Sequence, residues 1–402
     1  MPLDAALLLQ LQVGSMERYQ VHRALCEAMA WMKSNGLAGY DPYDALASPL
    51  ASVVGLRIPF AGRLFIQGLR LFPLNLRRML RIAPALDSKA LGLLARAYLL
   101  EWDRTGSEVY RQSALECLRL LRDGVVAGFS GACWAHPFPY LSSRSHLNKG
   151  FPTVVSTVHA ALAFLDGYER IGNEQWLEMG RSACDFILTD LARIGGKEFF
   201  FSYYPGQELA VHNANLLAAG LLARVARLTD EGGLLRPVQA ALRYTLADQQ
   251  PDGSWPYDGP GSVCRADTFV DGFHTGFVLE SLWDISQDAA VDLEEPITRG
   301  LHFYLEHLFQ PLGQPRRMVN RRWPVDLRDC AQAMIVLARL RGLDPRAEGM
   351  LEQVAAWTIC KMQAPEGYFY HLRWRWYVPP IPYVRFQGWM LMALARYLEA
   401  SA

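Results

Sequence analysis

Two kinds of apolar segment alternate along this chain. Segments such as Leu216-Leu-Ala-Ala-Gly-Leu-Leu-Ala223 and Ala331-Gln-Ala-Met-Ile-Val-Leu-Ala338 are apolar nearly all round, with small Ala and Gly admitting close neighbours. That pattern predicts helices buried on every side. Segments such as Trp176-Leu-Glu-Met-Gly-Arg-Ser-Ala-Cys-Asp185 carry charges along one face and predict helices that meet water. The fully apolar helices open at Ser88, Thr157, His212, Asp271, Asp326 and Tyr383, and the last five starts lie 55, 59, 55 and 57 residues apart. This is an internal period. The first interval is 69 residues, lengthened by the loop through Gly131 to Pro152. Amphipathic segments fall between, near 107–122, 174–192, 234–249, 294–309 and 347–362. An inner ring of six helices wrapped by an outer ring satisfies both patterns, with short connections making neighbours antiparallel. The predicted fold is all-α, an (α/α)6 toroid or six-hairpin barrel, over residues 87–402. An open solenoid of helix pairs is the alternative, but such repeats usually run about 33 to 47 residues.

Residues 1–86 read as an N-terminal extension, part helical and part irregular, packed on the barrel. Tyr19, Ala24, Leu25, Ala28 and Trp31 share one helix face, and Gly36 is a stop. Turn formers run from Tyr40 to Pro59 and lead into a basic, apolar stretch with Arg57, Arg63, Arg70, Arg77, Arg78 and Arg81. Arg with Phe and Leu is the composition of a helix lying on an anionic membrane, which makes 57–81 a candidate for peripheral contact. Arginines tying the segment onto the barrel explain the same residues, and Pro73, which interrupts the helix, favours that second reading.

Composition narrows the function classes. With 51% apolar residues the chain has material for a large core, which excludes a disordered or fibrous protein. Forty Lys and Arg balance forty Asp and Glu, so no net field attracts nucleic acid. Seven scattered cysteines without paired metal-ligand spacing read as reduced thiols. The apolar run Ala5–Leu11 follows Asp4 and no basic segment, and no span of about 20 apolar residues occurs. A cytoplasmic protein is the expectation, at the inner face of the membrane if 57–81 docks there. Neither cofactor nor metal is expected: the chain has no Gly-rich phosphate loop, and Asp329-Cys330 with His371 is a poor imitation of zinc spacing.

The toroid also says where chemistry belongs. Inner helices all run in one direction, so the aromatic-rich loops before them (130–140, 198–205, 250–257, 316–324 and 366–377) converge on one mouth, with helix N-termini directed into it. Glycoside hydrolysis is the first expectation, with lyase or epimerase chemistry as the alternative, and it needs two carboxylates across the scissile bond. Asp271 and Asp326 stand at adjacent entrances, and His274, one turn inside and on the same face as Asp271, would assist. Each aspartate is equally placed to be a helix N-cap. A uronic-acid lyase or C5-epimerase needs a carboxylate neutraliser and a proton acceptor, and His212, Asn213, Tyr203, Tyr204 and Arg385 form that set. Trp134, His136, Trp255, Tyr257, Asp329 and Tyr370 are candidates for holding a sugar, although the aromatics would equally plug the barrel end. A glycan-binding assembly factor without catalysis is the third reading.

Several motifs together carry a family resemblance: Tyr40-Asp-Pro-Tyr-Asp-Ala, Pro73-Leu-Asn-Leu-Arg77, Phe201-Ser-Tyr-Tyr204, Val211-His-Asn-Ala-Asn215, Asp252-Gly-Ser-Trp255, Phe273-His-Thr-Gly-Phe-Val-Leu-Glu280, Asp326 to Gln332, Gly367-Tyr-Phe-Tyr370 and Pro382-Tyr-Val-Arg385. Over nearly its whole length the chain resembles the polysaccharide-biosynthesis proteins of the VpsJ type. The resemblance implies a toroid linked to exopolysaccharide or capsule, with a polysaccharide or lipid-linked oligosaccharide as partner. The family loop that usually reads Cys-Trp-Gly-Tyr-Pro-Phe-Asp-Trp is Cys133-Trp-Ala-His-Pro-Phe-Pro-Tyr140 here, so no carboxylate role carries over from it.

Overall fold

The computed structural model describes residues 18–142 and 144–401, and the run Ala5–Leu11 lies outside them. The described chain begins with α1 (Arg18–Asn35), α2 (Pro49–Gly55) and α3 (Pro59–Leu71). Inner and outer helices then alternate: α4 (Ser88–Thr105), α5 (Glu108–Asp123), α6 (Val154–Ile171), α7 (Glu174–Thr189), α8 (His212–Thr229), α9 (Leu235–Ala247), α10 (Gly272–Asp288), α11 (Glu294–His307), α12 (Leu327–Leu340), α13 (Arg346–Met362) and α14 (Val384–Ala400). Each even-numbered helix from α4 packs on the next, and α14 packs on α4, closing a ring of six. The architecture is an (α/α)6 toroid. Five outer helices follow their inner partners in sequence. The sixth outer position, against α14, is taken by α1 from the start of the chain.

The inner helices are buried along nearly their whole length, as their all-round apolar pattern requires. Backbone approaches are close. A Cβ on Gly92 of α4 would stand 2.4 Å from the His159 carbonyl oxygen of α6, so only glycine lets these helices touch. At the end away from the mouth, Arg96 Nε and Arg224 Nη2 lie 2.8 and 2.6 Å from the two oxygens of Asp166, tying α4, α6 and α8 together. Burial would raise the Asp166 carboxyl, but these arginines hold it well below the usual range.

One helix start differs from its sequence assignment. The helix assigned to open at Thr157 begins at Val154, where Thr153 Oγ1 accepts the Ser156 N–H. Thr157 sits one turn inside, and its hydroxyl accepts the Trp134 N–H. A polar residue near the start of an apolar helix can therefore be a loop anchor as well as a cap.

The strands are short antiparallel pairs in the loops that precede inner helices. They are β1 (Tyr140–Leu141) with β2 (His146–Leu147), β3 (Arg193–Gly195) with β4 (Phe199–Phe201), and β5 (Val325–Asp326) with β6 (Leu372–Arg373). A second, smaller core joins Leu46, Ile66, Leu69 and Ile82 of the N-terminal segment to Leu141 of β1, which seats the α2–α3 lobe at the mouth end.

Gly92→Ala should lower stability by about 1–3 kcal/mol, as overpacking does. Gly68→Ala in α3, where an added Cβ meets nothing within 4 Å, should be neutral or add about 0.4–1 kcal/mol. Urea unfolding of both variants checks the contrast.

Candidate active site

The entrances of α10 and α12 carry the densest chemistry. Asp271 is the N-cap of α10, and its Oδ1 accepts the His274 N–H at 2.8 Å. The same carboxylate faces the His274 ring, with Nδ1 2.8 and 2.9 Å from its two oxygens. This Asp–His pair leaves Nε2 with no protein partner among the described residues, on a side chain 26% exposed. Tyr257 packs edge-on against the His274 ring at 4.4 Å, with Phe273 at 5.1 Å and Phe269 at 6.3 Å. A flat apolar wall thus surrounds one free imidazole nitrogen.

Asp326 is held differently. It caps α12 and accepts from the N–H and Nε of Arg328 at 3.0 Å, from Arg328 Nη2 at 2.8 Å and from Arg317 Nη1 at 3.0 Å, with Arg70 at 3.7 Å. Burial opposes ionisation, but Arg328, Arg317 and Arg70 hold the carboxyl far below its ordinary range. A carboxylate in that state is a poor proton carrier and a good anchor. Its effect is to orient Arg328, whose guanidinium lies over Phe273 and Phe386 at 5.1 and 5.2 Å.

Asp329 is the opposite case. It is buried, its Oδ2 has no hydrogen-bond partner, and burial together with the charges of Asp326 and Asp271 pushes its pKa well above the usual value. The shift favours the protonated form of this carboxyl.

Four tyrosines, Tyr43, Tyr140, Tyr203 and Tyr257, stand half-buried around the same space. Burial pushes Tyr203 and Tyr257 up, and Tyr140 to about 12. For Tyr43 burial also acts upward, yet Arg70 and Arg328 outweigh it and draw the phenol below its ordinary value. Its ring lies 5.3 Å from the Arg70 guanidinium and 5.8 Å from Tyr140. On α4, burial and then Arg385 bring the Lys89 ammonium down to about 7. Below this level His159, Phe277 and Trp389 pack edge-on along the axis, so the mouth has a floor and the barrel is no pore.

Of the sequence candidates, Asp271, His274, Asp326, Asp329, Tyr203 and Tyr257 come together here, and Arg385 lies behind them. Arg385 is buried and spends its fork on Asp41, at 2.7 and 2.9 Å, so it anchors the N-terminal segment. His136 sits at the rim, Nδ1 3.4 Å from Asp87 and stacked between Phe138 and Tyr140.

Four candidates fall away from the free space, and a fifth, Asn213, is buried. His212 is 2% exposed and has both nitrogens engaged, Nδ1 with Thr245 at 3.2 Å and Nε2 with Asp248 at 2.8 Å. It joins α8 to α9. Trp134 and Trp255 are buried between the layers because each indole N–H finds a backbone carbonyl of the preceding outer helix, Leu121 at 2.8 Å and Thr245 at 3.0 Å. Tyr370 packs on Tyr368, which in turn packs on Trp31 of α1, at the outer wall. Asn213 is buried in the first turn of α8 with Oδ1 unpartnered.

Tyr43, Tyr140, Lys89, Arg317 and Arg328 were missed as site residues. Tyr43 and Arg328 lie inside the motifs Tyr40-Asp-Pro-Tyr-Asp-Ala and Asp326–Gln332. Lys89 had its own signal, a cation in the first turn followed directly by the apolar run Ala90-Leu-Gly-Leu-Leu-Ala95.

No protein-family model matches the chain, and no curated protein matches it. Solved structures do. A GH76 α-mannanase of Bacteroides thetaiotaomicron superposes with TM-score 0.60 at 13% identity, over 80% of this chain and 88% of that one. Cellobiose 2-epimerase from Bacillus thermoamylovorans gives 0.59 at 12%, over 77% and 87%. A polysaccharide lyase gives 0.56 at 13%, over 78% and 90%. What they share with this chain is the (α/α)6 toroid. At such identities the likeness is one of fold, and the site's own geometry must carry the chemistry.

The Asp329 proton gives a measurable slope. The folded protein keeps a proton that the unfolded chain releases near pH ~4. The stabilisation is full below that pH and declines as pH rises toward the folded pKa, by about 1.4 kcal/mol per unit. Asp329→Asn, which cannot ionise, should flatten this slope in denaturant titrations run across the range.

Proposed function

We propose that this protein is a carbohydrate-active enzyme that moves a proton at a carbon of a saccharide, as an epimerase or lyase does. The observation that carries the reading is the Asp271–His274 pair, in which both carboxylate oxygens lie within 2.9 Å of Nδ1. A carboxylate at Nδ1 fixes the tautomer and leaves Nε2 as the basic atom facing the mouth. His274 then takes the proton beside a carbonyl or carboxylate of the sugar. The electron pair moves onto that oxygen, where Arg328 and Arg317 supply positive charge in a poorly hydrated site. Return of the proton on the other face inverts the carbon; loss of the substituent on the next carbon makes it a lyase. Lys89 and Tyr43, whose pKa values lie below their ordinary ranges, are suited to the second proton transfer. Epimerases and a lyase among the structural neighbours support the reading, and the VpsJ-type resemblance points to surface polysaccharide or its lipid-linked precursor as the substrate.

Glycoside hydrolysis is the second reading, favoured by one observation. Asp329 is a partly unpartnered carboxyl whose pKa burial, Asp326 and Asp271 push upward, which suits a general acid. The pairing of Asp271 with Asp326 has less support, since both oxygens of Asp326 are occupied by arginines.

Incubation in D2O with neutral and uronic-acid polysaccharides separates these outcomes. Epimerisation puts deuterium on a sugar carbon, whereas elimination leaves an unsaturated uronide and no carbon-bound deuterium. Hydrolysis releases reducing ends without carbon-bound deuterium, and a binding protein changes nothing. His274→Ala should slow turnover by about 10² or more. Asp271→Asn keeps a competent helix cap, so the melting temperature should hold while kcat falls about tenfold or more. Full turnover by His274→Ala would overturn the assignment.

A further inference from the structure

The α2–α3 lobe combines three properties that the barrel does not need. Residues 45–86 hold six arginines and no acidic residue, in a chain whose total charge is balanced. Two of the six are used internally: Arg77 on Asp44 at 2.9 Å and Arg70 toward Asp326. Among the described residues, Arg57, Arg63, Arg78 and Arg81 form no ion pair. The lobe is also apolar on its outer side. While α3 buries Ile66 and Leu69 against the small core, Phe60 and Leu64, one turn apart, stand 64% and 58% exposed. Leu50 on α2 and Met79 beyond α3 continue this surface.

A second element extends it. The loop at 373–377 contributes Trp376, 85% exposed, with the Arg375 guanidinium 4.6 Å above its ring. Tyr377 Oη donates to the Leu71 carbonyl at 2.8 Å, which fixes this loop to the end of α3. Exposed apolar side chains, an exposed tryptophan and unpaired arginines are thus brought together on this lobe and the loop tied to it. No helix among the described residues is long and apolar enough to cross a membrane.

We propose that the α2–α3 lobe and the 373–377 loop form a docking surface for a bilayer that carries anionic lipid. Leu50, Phe60, Leu64 and Trp376 enter the headgroup boundary, and Arg57, Arg78 and Arg81 meet lipid phosphates. Charge decides the occupant: a protein partner with a plain apolar face would leave the arginines unanswered, whereas an anionic bilayer answers both properties at once. The sequence alternative, arginines that only tie the segment to the barrel, accounts for Arg70 and Arg77 but not for the exposed ones. Because α3 also reaches Asp326 through Arg70, a docked lobe sets the mouth beside the lipid surface. The inference is independent of the reaction performed there.

Flotation with vesicles of phosphatidylcholine alone, and of phosphatidylcholine mixed equally with phosphatidylglycerol, tests it. The full-length protein should bind the anionic vesicles, and high salt should release it. Phe60→Ser with Leu64→Ser should weaken partitioning about tenfold or more, as should Arg78→Glu with Arg81→Glu. Circular dichroism should match the parent protein, since all four side chains are at the surface. Absence of binding, equal binding to both vesicles, or wild-type binding by both variants would overturn the proposal. So would a concentration-dependent dimer that the serine variant dissociates, which would assign the surface to a second copy.

Discussion

Val384–Ala400 lies so close to Ser88–Thr105 that a Cβ on Gly388 would stand 3.2 Å from the Ala90 carbonyl oxygen. This approach closes the inner ring, and the mouth depends on it. Lys89 enters from one side of the seam and Arg385 from the other, so groups nearly 300 residues apart in sequence share one electrostatic environment. The seam is covered from outside by α1, which makes the N-terminal helix a structural member of the ring. The same end of the chain reaches the mouth through Asp41, held by Arg385, and Asp44, held by Arg77.

Loops that meet at the mouth are not left to find their own positions. Thr157, Asn215 and Gln387, each near the start of an inner helix, accept backbone N–H groups from Trp134, Phe201 and Phe369 in the preceding loops. The aromatic side chain that follows the anchored backbone turns into the layer between inner and outer helices. This repeated device explains why so many aromatics near the mouth are walls. The partly exposed ring at the site belongs to His274, packed against Tyr257 and Phe269 of the preceding loop.

The carboxylates divide by their neighbours. Asp326 among three arginines is drawn far below its ordinary pKa; Asp329, a turn along and facing two negative groups, is pushed well above it; Asp271 sits beside a histidine. Three residues of one type, at the entrances of two adjacent helices, acquire three different states because each meets a different local charge in a poorly solvated space. Arg328 and Arg317 are the other product of that arrangement, since the buried Asp326 keeps two guanidinium groups at the mouth that would otherwise turn outward to water.

The sequence by itself determined the toroid. A helix buried all round must be apolar all round, and that requirement writes the inner helices and their period of roughly 57 residues directly into residue order. It also marked Asp271 and His274, because an i, i+3 pair on one helix is a local geometry. Only the tertiary structure decided the rest of the site. Whether Trp255 faces sugar or Thr245, whether His212 is free or clasped between Thr245 and Asp248, and whether Arg385 is available or spent on Asp41 depend on partners 10 to 344 residues away. Residue order carries no record of such pairings. A polar group is available for chemistry only where its neighbours leave it free, and the neighbours exist only after the ring has closed.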